Sequence, residues 1–169
     1  MAIPPPPEGW TRFLVKSTFG AGRDFTVLDP TTEQPLYAID GKLGPRPKAD
    51  VLDAEGGTLF HVSGKLLGIP KHMTITDAEG NEVASLKAKA FSPIKARMTL
   101  ERADGTSWVI EGSFIEKNYS VTADGEPVVA ITQKWVTIRD AYTVDVAQGT
   151  EPAFALAVVW AIDRWVERD

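Results

Sequence analysis

The stretch that decides the fold is Ala153-Phe154-Ala155-Leu156-Ala157-Val158-Val159-Trp160-Ala161-Ile162, which is followed directly by Asp163. Pro152 suits the first turn of a helix, where a missing N–H costs nothing. None of the ten side chains in the stretch is polar, so the predicted helix has no face for water. Ten residues span about 15 Å, roughly half of a bilayer's hydrocarbon core, so we expect no transmembrane segment. The helix must instead be enclosed by protein on all sides.

The composition favours one compact domain with a full core. The chain has 169 residues, of which 43% are hydrophobic and 24% are charged. The formal net charge of −5 argues against nucleic-acid binding, which depends on neutralising phosphates with Lys and Arg. There is no cysteine, which excludes disulfides, thiolate catalysis and thiolate metal sites. We therefore expect no nucleic-acid partner.

The N-terminal residues Met1-Ala2-Ile3-Pro4-Pro5-Pro6-Pro7 have neither the basic nor the apolar region of a signal peptide. We expect a cytoplasmic protein, with residues 1–9 forming a proline-rich tail and residues 10–169 forming a single domain. The four prolines favour a short polyproline II segment, which is either an inert tail or a ligand for a proline-binding partner.

The chain from Trp10 onward consists of short apolar or alternating runs that are separated by turn residues, a pattern typical of antiparallel sheets. It predicts twelve strands, at residues 12–17, 25–28, 36–39, 49–52, 59–64, 72–76, 82–88, 96–100, 107–111, 118–122, 126–134 and 141–146. Predicted hairpin turns separate many of them, at Asp40-Gly41, residues 53–57, residues 77–81, Asp104-Gly105 and Asp124-Gly125. The segments 51–56 and 75–80 resemble each other at an offset of 24 residues, which indicates repeated hairpin units.

Twelve strands leave exposed edges unless the sheet closes on itself, and a closed sheet has an interior to fill. The apolar stretch at residues 153–162 is the obvious occupant, because small and large side chains alternate along it. The sequence therefore predicts an all-β fold, a closed antiparallel β-barrel of about 12 strands enclosing a hydrophobic C-terminal helix.

At this point the chain resembles the LURP-one-related proteins, which group with the Tubby C-terminal domain and the phospholipid scramblases. The resemblance covers residues 13–165 and is carried by Ile75-Thr76-Asp77-Ala78-Glu79-Gly80-Asn81-Glu82-Val83, Val129-Ala130-Ile131-Thr132-Gln133-Lys134-Trp135, Tyr142-Thr143-Val144-Asp145-Val146 and the closing Ile162-Asp163. It implies a twelve-stranded barrel around a hydrophobic helix, and Tubby-like domains bind phosphoinositides. We do not expect scramblase activity, because the chain lacks cysteines for lipid anchoring and its helix is needed as core.

The most suggestive surface feature is the basic stretch between Val83 and Leu100, which carries Lys87, Lys89, Lys95 and Arg97 and no acid. Side chains two residues apart in a strand share a face, so each pair of these cations projects together from its own strand. If residues 91–94 turn the chain, the four charges converge into a site for an anionic headgroup. The alternative is that they are solvated lysines that protect sheet edges from aggregation, a common role. Lys42, Arg46 and Lys48 form a second, weaker basic group.

Signatures of an enzyme or a metal site are missing from the sequence. Gly41-Lys42 and Gly64-Lys65 do not belong to phosphate-binding loops, because Leu36 and Leu59 stand where the upstream glycine of that motif is required. His61 and His72 are the two histidines and lack a metal-ligand spacing. We expect no catalytic residue, no metal and no cofactor. Trp108, Tyr119, Trp135 and Tyr142 are predicted to pack on the helix, and Asp163 to receive hydrogen bonds at the barrel mouth.

These observations predict a non-enzymatic binding module for an anionic phospholipid headgroup, acting in the cytoplasm and peripherally at the membrane through Lys87, Lys89, Lys95 and Arg97. The alternative is a protein-interaction or scaffold domain with no lipid ligand, whose partner the sequence does not identify.

Overall fold

A computed structural model of the protein describes residues 3–18, 24–42, 44, 46–64, 71–88, 96–136 and 140–168. These residues form twelve strands and one helix, with the bounds β1 Trp10–Thr18, β2 Asp24–Leu28, β3 Pro35–Gly41, β4 Lys48–Asp53, β5 Thr58–Gly64, β6 Lys71–Asp77, β7 Glu82–Ala88, β8 Ala96–Arg102, β9 Ser107–Ser113, β10 Asn118–Ala123, β11 Glu126–Thr132, β12 Ala141–Ala147 and α1 Pro152–Arg168.

Each strand pairs antiparallel with its neighbours in the sequence, and β1 pairs with β12 to close the barrel. The closing register places Trp10 opposite Ala147 and Lys16 opposite Ala141. Closure leaves no edge strand, which removes the row of unpaired backbone groups that an open sheet would present. The predicted closed barrel of about 12 strands around a C-terminal helix is confirmed.

The core fills the barrel because one residue in two along each strand points inward. Helix α1 lies inside, closest to β3, β4, β5 and β12. Every residue from 153 to 162 is buried, and Trp160 is only 1% exposed. The absence of polar side chains over this stretch is therefore explained by its position on the barrel axis. Within the described part of the chain, no helix is long and apolar enough to cross a membrane.

The barrel has two different ends. The turn end carries the connections 29–34, 54–57, 78–81, 103–106, 124–125 and 148–151, where α1 begins. The loop end is the opposite one, where β1, β3, β5, β7, β9 and β11 finish and where α1 brings Asp163. Each connection at the turn end contains at least one Asp or Glu, and none contains Lys or Arg. The turn end is therefore acidic.

The repeated sequence segment corresponds to a repeated turn geometry at the turn end. Asp53 Oδ1 accepts backbone N–H groups at 3.0 and 2.8 Å, and Asp77 Oδ1 does so at 3.0 and 2.9 Å, each two and four residues on. Gly56 and Gly80 both have a φ of 89°, a conformation in which glycine carries no Cβ penalty. The backbone bonds to Asp77, first that from Asn81, lower the pKa of its carboxyl.

Two details of the predicted strands are wrong. Asp40-Gly41 is not a turn but the end of β3, where both residues pair with β4. The actual connection follows at residues 42–47, which carry two prolines and so cannot continue the ladder. Strand β11 ends at Thr132 rather than at residue 134, because Gln133 and Lys134 already belong to the turn.

Candidate functional site

The basic residues of β7 and β8 are the candidate site that the sequence predicts. Lys87 lies opposite Thr99 in the ladder, two residues from Arg97, so the two cations are diagonal neighbours on the outer face of the barrel. Both side chains are exposed and lie near the loop end. Lys89 and Lys95 lie outside the described residues.

The two cations are not neutralised by their surroundings. Arg97 is 3.7 Å from Glu111 on β9, but both side chains are more than half exposed, so water and salt screen this pair. In the described part of the chain no acid pairs with Lys87. An exposed anion can therefore compete for both side chains at little cost in lost protein contacts.

The second basic group differs from the first because it is paired within the protein. Lys42 Nζ lies 2.5 Å from Asp40 Oδ2 and 3.4 Å from Asp50 Oδ2. The hydrogen bond to Asp40 raises the pKa of Lys42. Asp50 also contacts His61, whose Nδ1 is 2.6 Å from its Oδ1. Arg46 and Lys48 are exposed and have no such partner among the described residues, which leaves the group with fewer available charges and makes it the weaker candidate.

A polar cluster closes the mouth of the barrel at the loop end. Asp163, 2% exposed, accepts hydrogen bonds from Lys117 Nζ and, at 3.1 Å, from the Tyr142 hydroxyl. The prediction that Asp163 receives hydrogen bonds at the mouth is confirmed. Lys117 reaches inward from the turn between β9 and β10, at a φ of 52°. No sequence pattern indicates this inward position, since Glu116-Lys117-Asn118 resembles any solvated turn.

Tyr119 lies in the same end of the barrel and faces inward. Its ring packs edge-on against Phe114 with 5.0 Å between the centroids, and its hydroxyl is buried without a hydrogen-bond partner among the described residues. Burial, followed by the charge of Asp163, raises the pKa of Tyr119 well above its ordinary value. The group is therefore neutral at any physiological pH and is no candidate for general-base chemistry.

A groove of about 1140 Å³ runs over the outer face of β9 to β12. Its floor follows one row of the ladder, in which the outward residues are Glu111, Ser120, Ala130, Asp145 and Arg12. Serine and alanine make this floor low. The residues 133–135 and the prolines 4–7 form its walls. Glu111 and Glu116 line the groove as well, which makes it unfavourable for an anion.

The proline segment at residues 4–7 packs against the barrel. Arg12 Nη1 donates to the carbonyl oxygens of Pro4 and Pro5 at 2.6 and 3.3 Å, and the Trp10 N–H donates to Pro7 at 3.1 Å. The same guanidinium donates to both carboxylate oxygens of Asp145, at 2.7 and 2.8 Å. The segment thus covers a buried bidentate ion pair on the outside of β1 and β12.

Trp135 does not pack on the central helix as predicted. Its ring lies outside the barrel, 5.6 Å from the Arg12 guanidinium and 4.5 Å from Lys134 Nζ. The reason is that β11 ends at Thr132, so the inward and outward alternation of the strand no longer applies three residues later. The prediction holds for Trp108, whose ring meets Phe154 of the helix at 5.0 Å.

Metal ligation has no support among the described residues, where no three side chains of the His, Asp and Glu type are grouped closely enough to hold an ion. In the acidic turns, Asp53 and Asp77 each direct Oδ1 at backbone N–H groups of their own loops. These carboxylates therefore shape turns, and one oxygen of each is already used within its loop.

Comparison with known proteins places the chain in a family. Residues 11–163 match the family model for LURP-one-related proteins. The protein belongs to the LURP-one-related family. This family is part of the tubby-like superfamily, so the resemblance drawn from the sequence is confirmed. LURP-one-related and tubby-like barrels are generally non-enzymatic binding domains.

Two individual relatives accompany the family match. The chain is 23% identical to the uncharacterized protein YxjI of Bacillus subtilis over 161 residues, which is 93% of this chain and 94% of the relative. The X-ray structure of a protein from Arabidopsis thaliana is 15% identical, with a TM-score of 0.43, over 92% of this chain and 91% of that one. The name of neither relative identifies a ligand.

Proposed function

We propose that this LURP-one-related protein is a non-enzymatic binding module for an anionic phospholipid headgroup, acting peripherally at the cytoplasmic surface of a membrane. The observation that supports it is the pair Lys87 and Arg97, exposed side by side on the outer face near the loop end. In the sequence Lys89 and Lys95 belong to the same basic stretch, and we include them in the proposed site.

The chemistry of this pair suits a phosphate group. Arg97 offers a planar fork that bonds two phosphate oxygens, while Lys87 adds a mobile point charge. Basic residues close to an anionic membrane contribute about 1 kcal/mol each to binding, so two of them account for about a 30-fold change in affinity. The neighbouring groove is less suitable because Glu111 and Glu116 line it.

Co-sedimentation with vesicles tests the proposal. Phosphatidylcholine vesicles with and without phosphatidylserine or a phosphoinositide are compared at low and at physiological salt. The wild type should bind the anionic vesicles only, and less as salt rises, since screening weakens exposed charges. Lys87→Gln/Arg97→Gln should bind about 30-fold more weakly. The control Lys87→Arg, which keeps the positive charge at the same position, should keep most of the binding.

A second candidate function, a protein-interaction domain with no lipid ligand, is favoured by the outer groove. Its low floor and its wall of prolines at residues 4–7 could accommodate an extended peptide. Folded wild type that binds no vesicle would contradict the lipid proposal and favour this alternative, which a Ser120→Trp variant that fills the groove would then test by loss of a captured partner.

A further inference from the structure

We infer that the barrel approaches the bilayer end-on, with its loop end toward the membrane and Ile115 entering the interface beside the headgroups. This inference rests on the proposed binding of an anionic lipid, and it adds a direction and an apolar contact that the basic residues alone do not supply.

The turn end is unsuited to an anionic surface. All six of its connections carry acid, and none carries Lys or Arg. Arg102, at the end of β8, lies 4.6 Å from the Phe154 ring and 3.9 Å from Asp104 of the adjoining turn, with 31% of its side chain exposed, so its charge is partly offset by that acid. Repulsion of this end by anionic lipid turns the opposite end toward the membrane.

At the loop end, the turn between β9 and β10 presents an apolar side chain. In the described part of the chain, Ile115 is the one large hydrophobic residue that is exposed, at 49%. It lies in the turn between β9 and β10. Single exposed hydrophobic residues are common on protein surfaces, so exposure alone carries little weight. Ile115 differs from such residues because the turn that carries it is anchored on both sides.

Two anchors hold the turn on either side of Ile115. The preceding residue, Phe114, is fully buried against Tyr119. Two residues further on, Lys117 is tied to the buried Asp163 inside the barrel mouth. With both neighbours directed inward, Ile115 is held outward and cannot fold back onto the core. An apolar group that is fixed in an exposed position loses little further conformational freedom on insertion.

The position of Ile115 relative to the cations matches an interfacial contact. Arg97 pairs with Glu111, and β9 continues from there to Ser113 before the turn begins. At about 3.3 Å per residue, the turn that carries Ile115 begins about 7 Å beyond the backbone of Arg97 along the strand. Interfacial apolar groups enter the headgroup and acyl boundary by about 5–10 Å. With Ile115 at that depth, Lys87 and Arg97 lie level with the phosphates.

The absence of cysteine allows a direct test by single labels. Ile115→Cys at the loop end and Ala78→Cys at the turn end are each labelled with an environment-sensitive fluorophore, after their thermal stability has been matched to the wild type. Phosphatidylcholine vesicles containing phosphatidylserine are then titrated in. We expect a blue shift and increased emission from the label at position 115 and no change from the label at position 78. An unlabelled Ile115→Ser variant should bind these vesicles about 10-fold more weakly, whereas Ala78→Ser should bind as the wild type does.

The outcomes separate the inference from the proposed function. If both labelled proteins sediment with the vesicles while the label at 78 responds, or while neither responds, the end-on orientation is wrong and lipid binding stands. If Ile115→Ser binds as tightly as the wild type, the apolar contact is wrong. If no variant and no wild type binds, the proposed function fails and the inference fails with it.

Discussion

The central helix is held by different chemistry at the two ends of the barrel. At the turn end, Phe154 meets the rings of Phe60 and Trp108 at 5.8 and 5.0 Å. At the loop end, Asp163 bonds to Lys117 and Tyr142. Packing of aromatic rings does not depend on pH or salt, whereas a buried ion pair that loses one partner leaves an unpaired charge that destabilises the fold. The end that we propose faces the membrane is therefore the one closed by polar groups.

The largest expected effect comes from a charge in the middle of the central helix, which disrupts the packing of the helix in the barrel. Trp160 is 1% exposed in the middle of the helix, so Trp160→Asp would bury an unpaired carboxylate in the barrel. We expect this variant not to fold, because the desolvation cost exceeds the stability of an ordinary domain. Circular dichroism and gel filtration check it, with Trp160→Phe as the matched control. A soluble, folded Trp160→Asp protein would contradict the buried-helix structure.

The aromatic closure of the turn end is tested by Phe154→Ala. The substitution removes two edge-to-face ring contacts and leaves a cavity, so the free energy of unfolding should fall by about 3–5 kcal/mol. Urea unfolding measures the loss. Phe154→Leu keeps most of the volume and should lose markedly less. Equal losses for the two variants would mean that the end is held by something other than ring packing.

The polar closure of the loop end should respond unequally to its two partners. Lys117→Met leaves the carboxylate of Asp163 buried with the Tyr142 hydroxyl as its remaining partner among the described residues, at a cost of about 3 kcal/mol. Asp163→Asn should cost less, about 1 kcal/mol, because the amide still accepts from Tyr142 while Lys117, whose side chain is 16% exposed, can turn to water. Urea unfolding of both variants and of the double variant gives the coupling between them. A larger loss for Asp163→Asn than for Lys117→Met would refute this account.

The sequence predicts the fold well because its decisive features act through the barrel as a whole. A helix with no polar face needs an enclosure, and twelve short runs with turn residues between them supply one. The wrong prediction of a turn at Asp40-Gly41 shows that local turn preference can be overridden by pairing with a neighbouring strand. Asp-Gly favours a turn, but pairing of both residues with β4 outweighs that preference, and the two prolines that follow place the connection further on.

The surroundings of the candidate site could be predicted only in part. Strand periodicity places Lys87 and Arg97 on the outer face, and their use as a headgroup site stays a prediction, as does the division of the chain at residue 10. No sequence pattern indicates that Lys117 is directed into the barrel or that Arg12 pairs with Asp145. The partners in these two pairs are 46 and 133 residues apart, so only the closed register brings them together.

The acidic turns are expected to show the smallest effect on stability, and they test whether a single charge at the turn end stabilises the fold. The N–H of Asn81 and other groups of the turn lower the pKa of Asp77 below its ordinary value of 3.8. A carboxyl whose pKa is lowered by folding stabilises the fold above its unfolded pKa, and this contribution is lost as the pH falls through the folded pKa.

Asp77→Asn keeps the side-chain oxygen but removes the charge. The wild type should therefore be slightly more stable than this variant near neutral pH, and the difference should shrink as the pH falls below about 4. Urea midpoints between neutral pH and acid measure it, with Glu79→Gln as the control for loss of a charge that bonds to no backbone group of the turn. A difference that stays constant across this pH range would show that the turn depends on the shape of the side chain and not on its charge.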